Sequence, residues 1–90
     1  MMLNILEYLE LIIEELNMTK NKLKEIRVSE GITISGLSRA SNVSAKVISE
    51  TERFLREPRE VTKSKILNGL NKLTNGRTKK YSFDDIFSSG

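Results

Sequence analysis

The sequence contains no cysteine, histidine or tryptophan. Without cysteine the chain cannot form a disulfide or a thiolate metal site. Without histidine it has no imidazole to bind zinc or to activate a serine or cysteine nucleophile. Its five glycines are scattered and form no glycine-rich phosphate loop. We therefore expect no catalytic residue, no metal site and no cofactor, and a protein that is not an enzyme.

Long apolar runs are also missing from the sequence. An unbroken run such as residues 11–13 is far shorter than the roughly 20 residues that a membrane-spanning helix needs. Glutamates interrupt the N-terminal region, where an export signal would have a cationic start followed by an apolar stretch. We expect a cytoplasmic protein with no membrane association.

The charge of this 90-residue chain is unevenly distributed. Residues 1–19 carry −4, residues 20–65 carry +5 and residues 66–90 carry +2, within a net charge of +3. A basic middle segment favours a polyanionic partner. The alternative interpretation is an ordinary solvated surface, because 30% of the residues are charged.

The pattern of apolar and hydroxyl residues is typical of helices throughout. A Ser or Thr that can cap a helix stands five times between an apolar residue and a second apolar residue four positions after the cap. The five caps are Thr19, Thr33, Ser44, Thr62 and Ser82. Helix-ending residues follow at Gly31, Asn42, Pro58 and Gly76. These signals predict helices near 3–17, 20–30, 34–41, 45–54, 63–74 and 83–87.

The N-terminal segment has an apolar stripe at helical spacing. Its members are Leu6, Leu9, Ile13 and Leu16. An amphipathic helix must bury such a stripe, and we predict that this one dimerises with its copy. Two alternatives stay open: it packs on its own domain, or it docks a partner protein.

Two short predicted helices, 34–41 and 45–54, are joined by the three residues Asn42-Val43-Ser44. This is the spacing of a helix-turn-helix, in which the second helix enters the major groove of DNA.

A distributed pattern of residues extends around this spacing. It comprises Leu23-Lys24-Glu25-Ile26-Arg27, Gly31-Ile32-Thr33, Leu37-Ser38, Val43-Ser44, Ile48-Ser49, Glu52, Pro58, Ile66 and Leu70. With these residues, the segment 20–73 resembles the Cro/repressor-type helix-turn-helix domain, the lambda-repressor-like group. That family usually has glutamine where Ile34 stands, and often has glycine where Phe54 stands.

The resemblance implies an all-α fold: a small lambda-repressor-like helical bundle containing a helix-turn-helix, plus an extra N-terminal amphipathic helix. We predict three parts. Residues 1–18 form the amphipathic helix, residues 19–76 form the DNA-binding domain and residues 77–90 form a C-terminal extension.

By the same resemblance, helix 45–54 is the recognition helix. The residues that we expect to contact bases are Ala45, Lys46, Ser49 and Glu50. Lysine donates to guanine O6 or N7, glutamate accepts from cytosine N4, and alanine contacts the thymine methyl group. Each of these residues is also open to interpretation as an ordinary solvated surface residue.

Hydroxyl and cationic residues around the two helices are expected to bind phosphates. They are Thr33, Ser35, Ser44, Arg53, Arg56, Arg59 and Lys63. A local salt-bridge network is the alternative for the cations, because Glu57 and Glu60 lie among them. In the resembling family the positions of Arg27 and Glu52 pair, and we interpret that pair as structural.

Together these features predict a sequence-specific, double-stranded DNA-binding transcriptional regulator of the repressor type. We expect a homodimer on a palindromic operator, and a cytoplasmic protein that is nucleoid-associated when bound to DNA. The alternative is a protein-interaction module of the antitoxin or anti-repressor type, in which helix 3–17 docks a regulatory protein partner.

Overall fold

The structure, a computed structural model, describes residues 4–9, 21–75 and 80–87. Every regular element in these ranges is helical, as the all-α prediction requires. Residues 5–9 are helical. The five helices that follow are α1 (Leu23–Ser29), α2 (Ile34–Ser41), α3 (Ala45–Glu52), α4 (Glu60–Thr74) and α5 (Phe83–Ile86).

The two central helices begin where their hydroxyl caps predict. Thr33 accepts a hydrogen bond from Gly36 N at 2.9 Å at the start of α2, and Ser44 accepts one from Val47 N at 3.2 Å at the start of α3. At α5, Ser82 and Asp85 form the predicted capping box. These three starts are therefore confirmed.

Helices α1, α2 and α3 are each followed, within two residues, by a residue in the left-handed backbone region. These residues are Gly31 at φ 70°, Asn42 at φ 59° and Phe54 at φ 60°. The next amide then donates to a carbonyl five residues earlier, as in the Schellman motif. The bonds run from Ile32 to Arg27, from Val43 to Ser38 and from Leu55 to Glu50, at 3.0, 3.3 and 2.8 Å.

Phe54 is the costly member of this series, because an L-residue with a side chain is strained at positive φ. We expect Phe54→Gly to be about 1 kcal/mol more stable than Phe54→Ala in urea denaturation, because both lack the aromatic ring and only glycine is unstrained at this φ. Gly31→Ala should lower the free energy of unfolding for the same reason, since Gly31 has φ 70° and an added Cβ there meets no atom within 4 Å. A Phe54→Gly protein no more stable than the Phe54→Ala protein would contradict the assignment of strain.

Several predicted helix boundaries are wrong, and the N-terminal helix begins at residue 5 rather than near residue 3. Helix α1 begins at Leu23 rather than near residue 20, because Leu23 N donates to Asn21 Oδ1 at 3.0 Å. Helix α3 ends at Glu52 rather than at residue 54, because the chain reverses at Phe54. The predicted cap Thr19 and stop Gly76 lie outside the described residues.

Helix α4 begins at Glu60 rather than at residue 63, so Thr62 lies inside the helix and Arg59 precedes it. Val61 is 68% exposed and does not pack on Ile66 as predicted. A carboxylate at Glu60 suits the positive end of the helix dipole, which accounts for the extra turn.

The core consists of apolar side chains from helices α1 to α5 and from the segments that adjoin them. Its buried members are Leu23, Ile32, Leu37, Val43, Ile48, Ile66, Leu70, Ile86 and Phe87. Helix α2 packs most extensively on α4. Their backbones approach closely at Gly69, where a Cβ would lie 2.7 Å from backbone atoms of Ser41.

The C-terminal segment 80–87 packs on the bundle. The Asn71 side chain holds Tyr81 through two bonds, from Nδ2 to Tyr81 O at 2.9 Å and from Tyr81 N to Oδ1 at 2.8 Å. Lys22 N donates to Ile86 O at 3.0 Å, which ties the end of the segment to the start of α1. The predicted domain boundaries at 18–19 and 76–77 lie outside the described residues.

The helical residues 5–9 expose apolar side chains. Ile5, Leu6, Tyr8 and Leu9 are all exposed, while Ile13 and Leu16 of the predicted stripe lie outside the described residues. No described helix is both long enough and apolar enough to cross a membrane.

Candidate nucleic-acid interface

Helices α2 and α3 are joined by Asn42, Val43 and Ser44 and held at a fixed mutual angle. Leu37 of α2 and Ile48 of α3 are fully buried in the common core. Ser38 Oγ donates to Val43 O at 2.7 Å, so an α2 side chain supports the turn. The two helices therefore share one core, and the position of α2 contributes to the direction of α3.

One face of α3 is directed to solvent. Ala45 and Lys46 are exposed, Ser49 and Glu50 are half-buried, and Thr51 on the opposite face is fully buried. Ser49 and Glu50 follow Lys46 by three and four residues, so both share that face with Lys46. The structure thus groups the four predicted base-contacting residues on one outward surface.

Glu50 is paired within this surface. Arg56 Nε donates to Glu50 Oε1 at 2.9 Å, and Arg56 Nη2 lies 2.9 Å from the same oxygen. The reversal at Phe54 returns the chain toward α3, which brings Arg56 beside Glu50. Arg56, which we expected to bind phosphate, therefore already has an acidic partner.

The hydroxyl residues predicted to bind phosphate stand at two helix starts. Ser35 is exposed in the first turn of α2. Thr33 and Ser44 are exposed and use their oxygen atoms as acceptors for the caps, which leaves each O–H free to donate. Free amides and the positive end of the dipole make such helix starts suitable for an anion.

The predicted cations do not form a single cluster. Arg56 and Arg59 line a cleft of about 410 Å³ between the α2–α3 turn and the start of α4. Arg53 lines a different groove, beside Lys24 of α1. Lys63 binds Glu57 through a short ion pair, and its Nζ lies 5.6 Å from the centre of the Phe87 ring. The salt-bridge alternative thus holds for Lys63, which pairs with Glu57, and for Arg56, whose partner is Glu50 rather than Glu57 or Glu60.

Arg27 and Glu52 form a shielded bidentate pair between α1 and α3. Arg27 Nε donates to Glu52 Oε2 at 2.6 Å and Nη2 donates to Oε1 at 3.1 Å. The third donor, Nη1, reaches Ile32 O at 2.8 Å. The side chains are only 12% and 3% exposed, respectively. This position suits a structural pair that fixes the angle of α3.

Two residues around this surface, Lys65 and Asn21, were not predicted from the sequence. Lys65 lines the same cleft as Arg59. Asn21 Nδ2 donates to Thr51 O at 2.9 Å and so ties the start of α1 to α3. No sequence motif identifies either residue, because each comes near this surface only when separate elements pack together. The i, i+6 spacing of Glu50 and Arg56 becomes meaningful only once the intervening turn is known.

No protein-family model, curated protein or solved structure matches this chain. Within residues 4–9, 21–75 and 80–87, no three acidic side chains gather in a way that could hold a metal ion. The chemistry that these surfaces offer is hydrogen bonding and charge.

Proposed function

We propose that this protein is a sequence-specific double-stranded DNA-binding regulator of the repressor type, with a lambda-repressor-like arrangement of its helices. Its recognition helix is α3, placed in the major groove. The observation that carries the proposal is the short, rigid α2–α3 pair whose second helix directs Lys46, Ser49 and Glu50 outward together. The proposed activity is binding, and no residue is assigned a catalytic step.

The charges of the surroundings support this placement. Lys46 is exposed on α3, Arg59 and Lys65 line the neighbouring cleft, and hydroxyl groups stand at the starts of α2 and α3. Cations that neutralise phosphates release counterions, so the affinity for any duplex should fall with salt. Sequence preference must then come from the α3 side chains, because phosphate contacts carry no direct sequence information.

A homodimer fits the proposal. A single eight-residue reading helix covers few base pairs, and two copies would read half-sites about one helical turn apart. The exposed apolar side chains of Ile5, Leu6, Tyr8 and Leu9 belong to the segment proposed for dimerisation.

The decisive experiment selects bound duplexes from a random library at near-physiological salt. We expect enrichment of a two-fold-symmetric site. Lys46→Ala combined with Ser49→Ala should then weaken binding to that site about tenfold or more, because base contacts are lost, and change non-specific binding much less. Asn68→Ala, on an exposed position of α4, is the control and should bind like the parent. Equal losses on both DNAs would contradict the assignment of these residues to bases.

A protein-interaction module is the second candidate, favoured by one observation. Leu6 and Leu9 are exposed beside Ile5 and Tyr8, and apolar side chains so displayed are suited to covering by another protein. A chain that retains no DNA in the selection would favour this candidate over the regulator.

A further inference from the structure

The pairing of Glu50 with Arg56 suggests how a carboxylate can stand on a surface that faces DNA. An unpaired carboxylate there would be repelled by the phosphates. Glu50 is half-buried, with its side chain 26% exposed, and one of its oxygens takes both contacts from Arg56. The other oxygen, Oε2, accepts no hydrogen bond from any residue that the structure describes.

The geometry of this pair is set by the backbone. Leu55 N donates to Glu50 O at 2.8 Å, and Phe54 N donates to Thr51 O at 3.1 Å. These bonds fold residues 53–55 against the last turn of α3, so the next residue, Arg56, approaches Glu50 from a defined direction. The guanidinium then holds Oε1, because two nitrogens of this rigid, planar group reach that one oxygen.

We propose that Arg56 is a positioning residue for Glu50. Arg56 neutralises the carboxylate and holds Oε1, and the free Oε2 accepts a hydrogen bond from the exocyclic amine of a base. Cytosine N4 is the donor that this acceptor fits, so the protein prefers a C·G pair at one position of each half-site. This inference rests on the proposed function, and it assigns Arg56 to base readout rather than to phosphate binding.

The competing role for Arg56 makes a different prediction. A phosphate contact contributes to affinity for every sequence alike, whereas a positioning residue changes the preference at one base pair. Arg59 supplies the matched comparison, since it lines the same cleft and has no acidic partner among the described residues. The experiment therefore measures preference and affinity separately.

The test uses the full chain and the operator selected with the parent protein. Affinities are measured for that duplex and for duplexes with each base at every half-site position. We expect the parent to prefer C·G about tenfold at one position. Glu50→Gln should transfer that preference toward adenine, because an amide both accepts and donates.

The Arg56 variants then separate charge from orientation. Arg56→Ala should weaken binding to the operator and abolish the C·G preference, since it leaves Glu50 unpaired. Arg56→Lys keeps the charge but loses the fork, so the affinity should stay within about threefold while the preference falls. Arg59→Ala should weaken all duplexes equally and leave the preference unchanged. Thermal unfolding of each variant checks that the fold is retained.

Two outcomes would overturn the inference. If Arg56→Ala weakens every duplex by the same factor as Arg59→Ala, then Arg56 is a phosphate contact. If Glu50→Gln leaves all base preferences unchanged, then Oε2 reads no base. A parent protein that selects no sequence at all would instead refute the proposed function, and the inference with it.

Discussion

Glu52→Ala should lower the free energy of unfolding by about 3 kcal/mol, because it leaves the shielded Arg27 guanidinium without its carboxylate. Both side chains are largely removed from solvent, so water replaces the lost partner poorly. The pair also joins α1 to α3, just as the bond from Asn21 to Thr51 joins the residues before α1 to α3. Urea denaturation monitored by circular dichroism measures the loss directly.

The double variant Arg27→Met with Glu52→Met removes both charges together. It therefore separates the net contribution of the ion pair from the cost of leaving one buried charge without its partner. Apolar residues of similar volume often replace a buried ion pair at little cost, so this variant should be far more stable than Glu52→Ala. DNA binding gives a second readout. If the pair fixes the direction of α3, the double variant should fold and yet bind its operator more weakly. A Glu52→Ala protein within 0.5 kcal/mol of the parent, roughly the scale of a neutral surface substitution, would contradict this account.

Gly69→Ala should destabilise the protein by about 2 kcal/mol net, although alanine is the better helix former by about 1 kcal/mol. The added Cβ would lie 2.7 Å from Ser41 Cα and N, which are backbone atoms and cannot rotate away. Helix α2 would have to move from α4, and the recognition pair would move with it. For a domain of this size the melting temperature should fall by about 10 °C.

The control for Gly69→Ala is Asn68→Ala, on the exposed neighbouring position of the same helix. It has a smaller gain in helix propensity of the same sign, without the contact to Ser41, and should leave the melting temperature unchanged or slightly raised. A Gly69→Ala protein as stable as the Asn68→Ala protein would mean that α2 and α4 can separate at no cost.

The elements predicted correctly are those whose boundaries are set by side chains close to them in the sequence. Helix α2 lies where its caps indicate, since Thr33 bonds within the next turn and Asn42 adopts the left-handed backbone that asparagine tolerates. The start of α1 escaped prediction because Asn21 accepts from Leu23 N just ahead of the helix while its amide donates to Thr51, far along the chain. The end of α3 escaped for a related reason: Phe54 adopts a conformation that its side chain disfavours, and only the surrounding fold enforces it.

The same distinction between local and long-range contacts applies to the candidate site. Helical periodicity was enough to place Lys46 outward and Thr51 inward on α3. It could not show that Arg53 and Arg59 line separate depressions, since their separation arises from the turn after α3. Nor could it show that Arg56 is occupied by Glu50, because that ion pair forms across the same turn.

The hydrogen bond from Lys22 to Ile86 joins the beginning and the end of the bundle. Closing so long a loop costs more chain entropy than docking the adjacent helices α2 and α3, so the C-terminal segment should join the nucleus late in folding. By the same reasoning we expect it to detach before the α2–α3 pair in a partial opening. Such an opening would expose the apolar side chains of Ile86 and Phe87 to solvent while α2 and α3 stayed packed together. The folded ensemble would then contain a sparsely populated conformer that is prone to association.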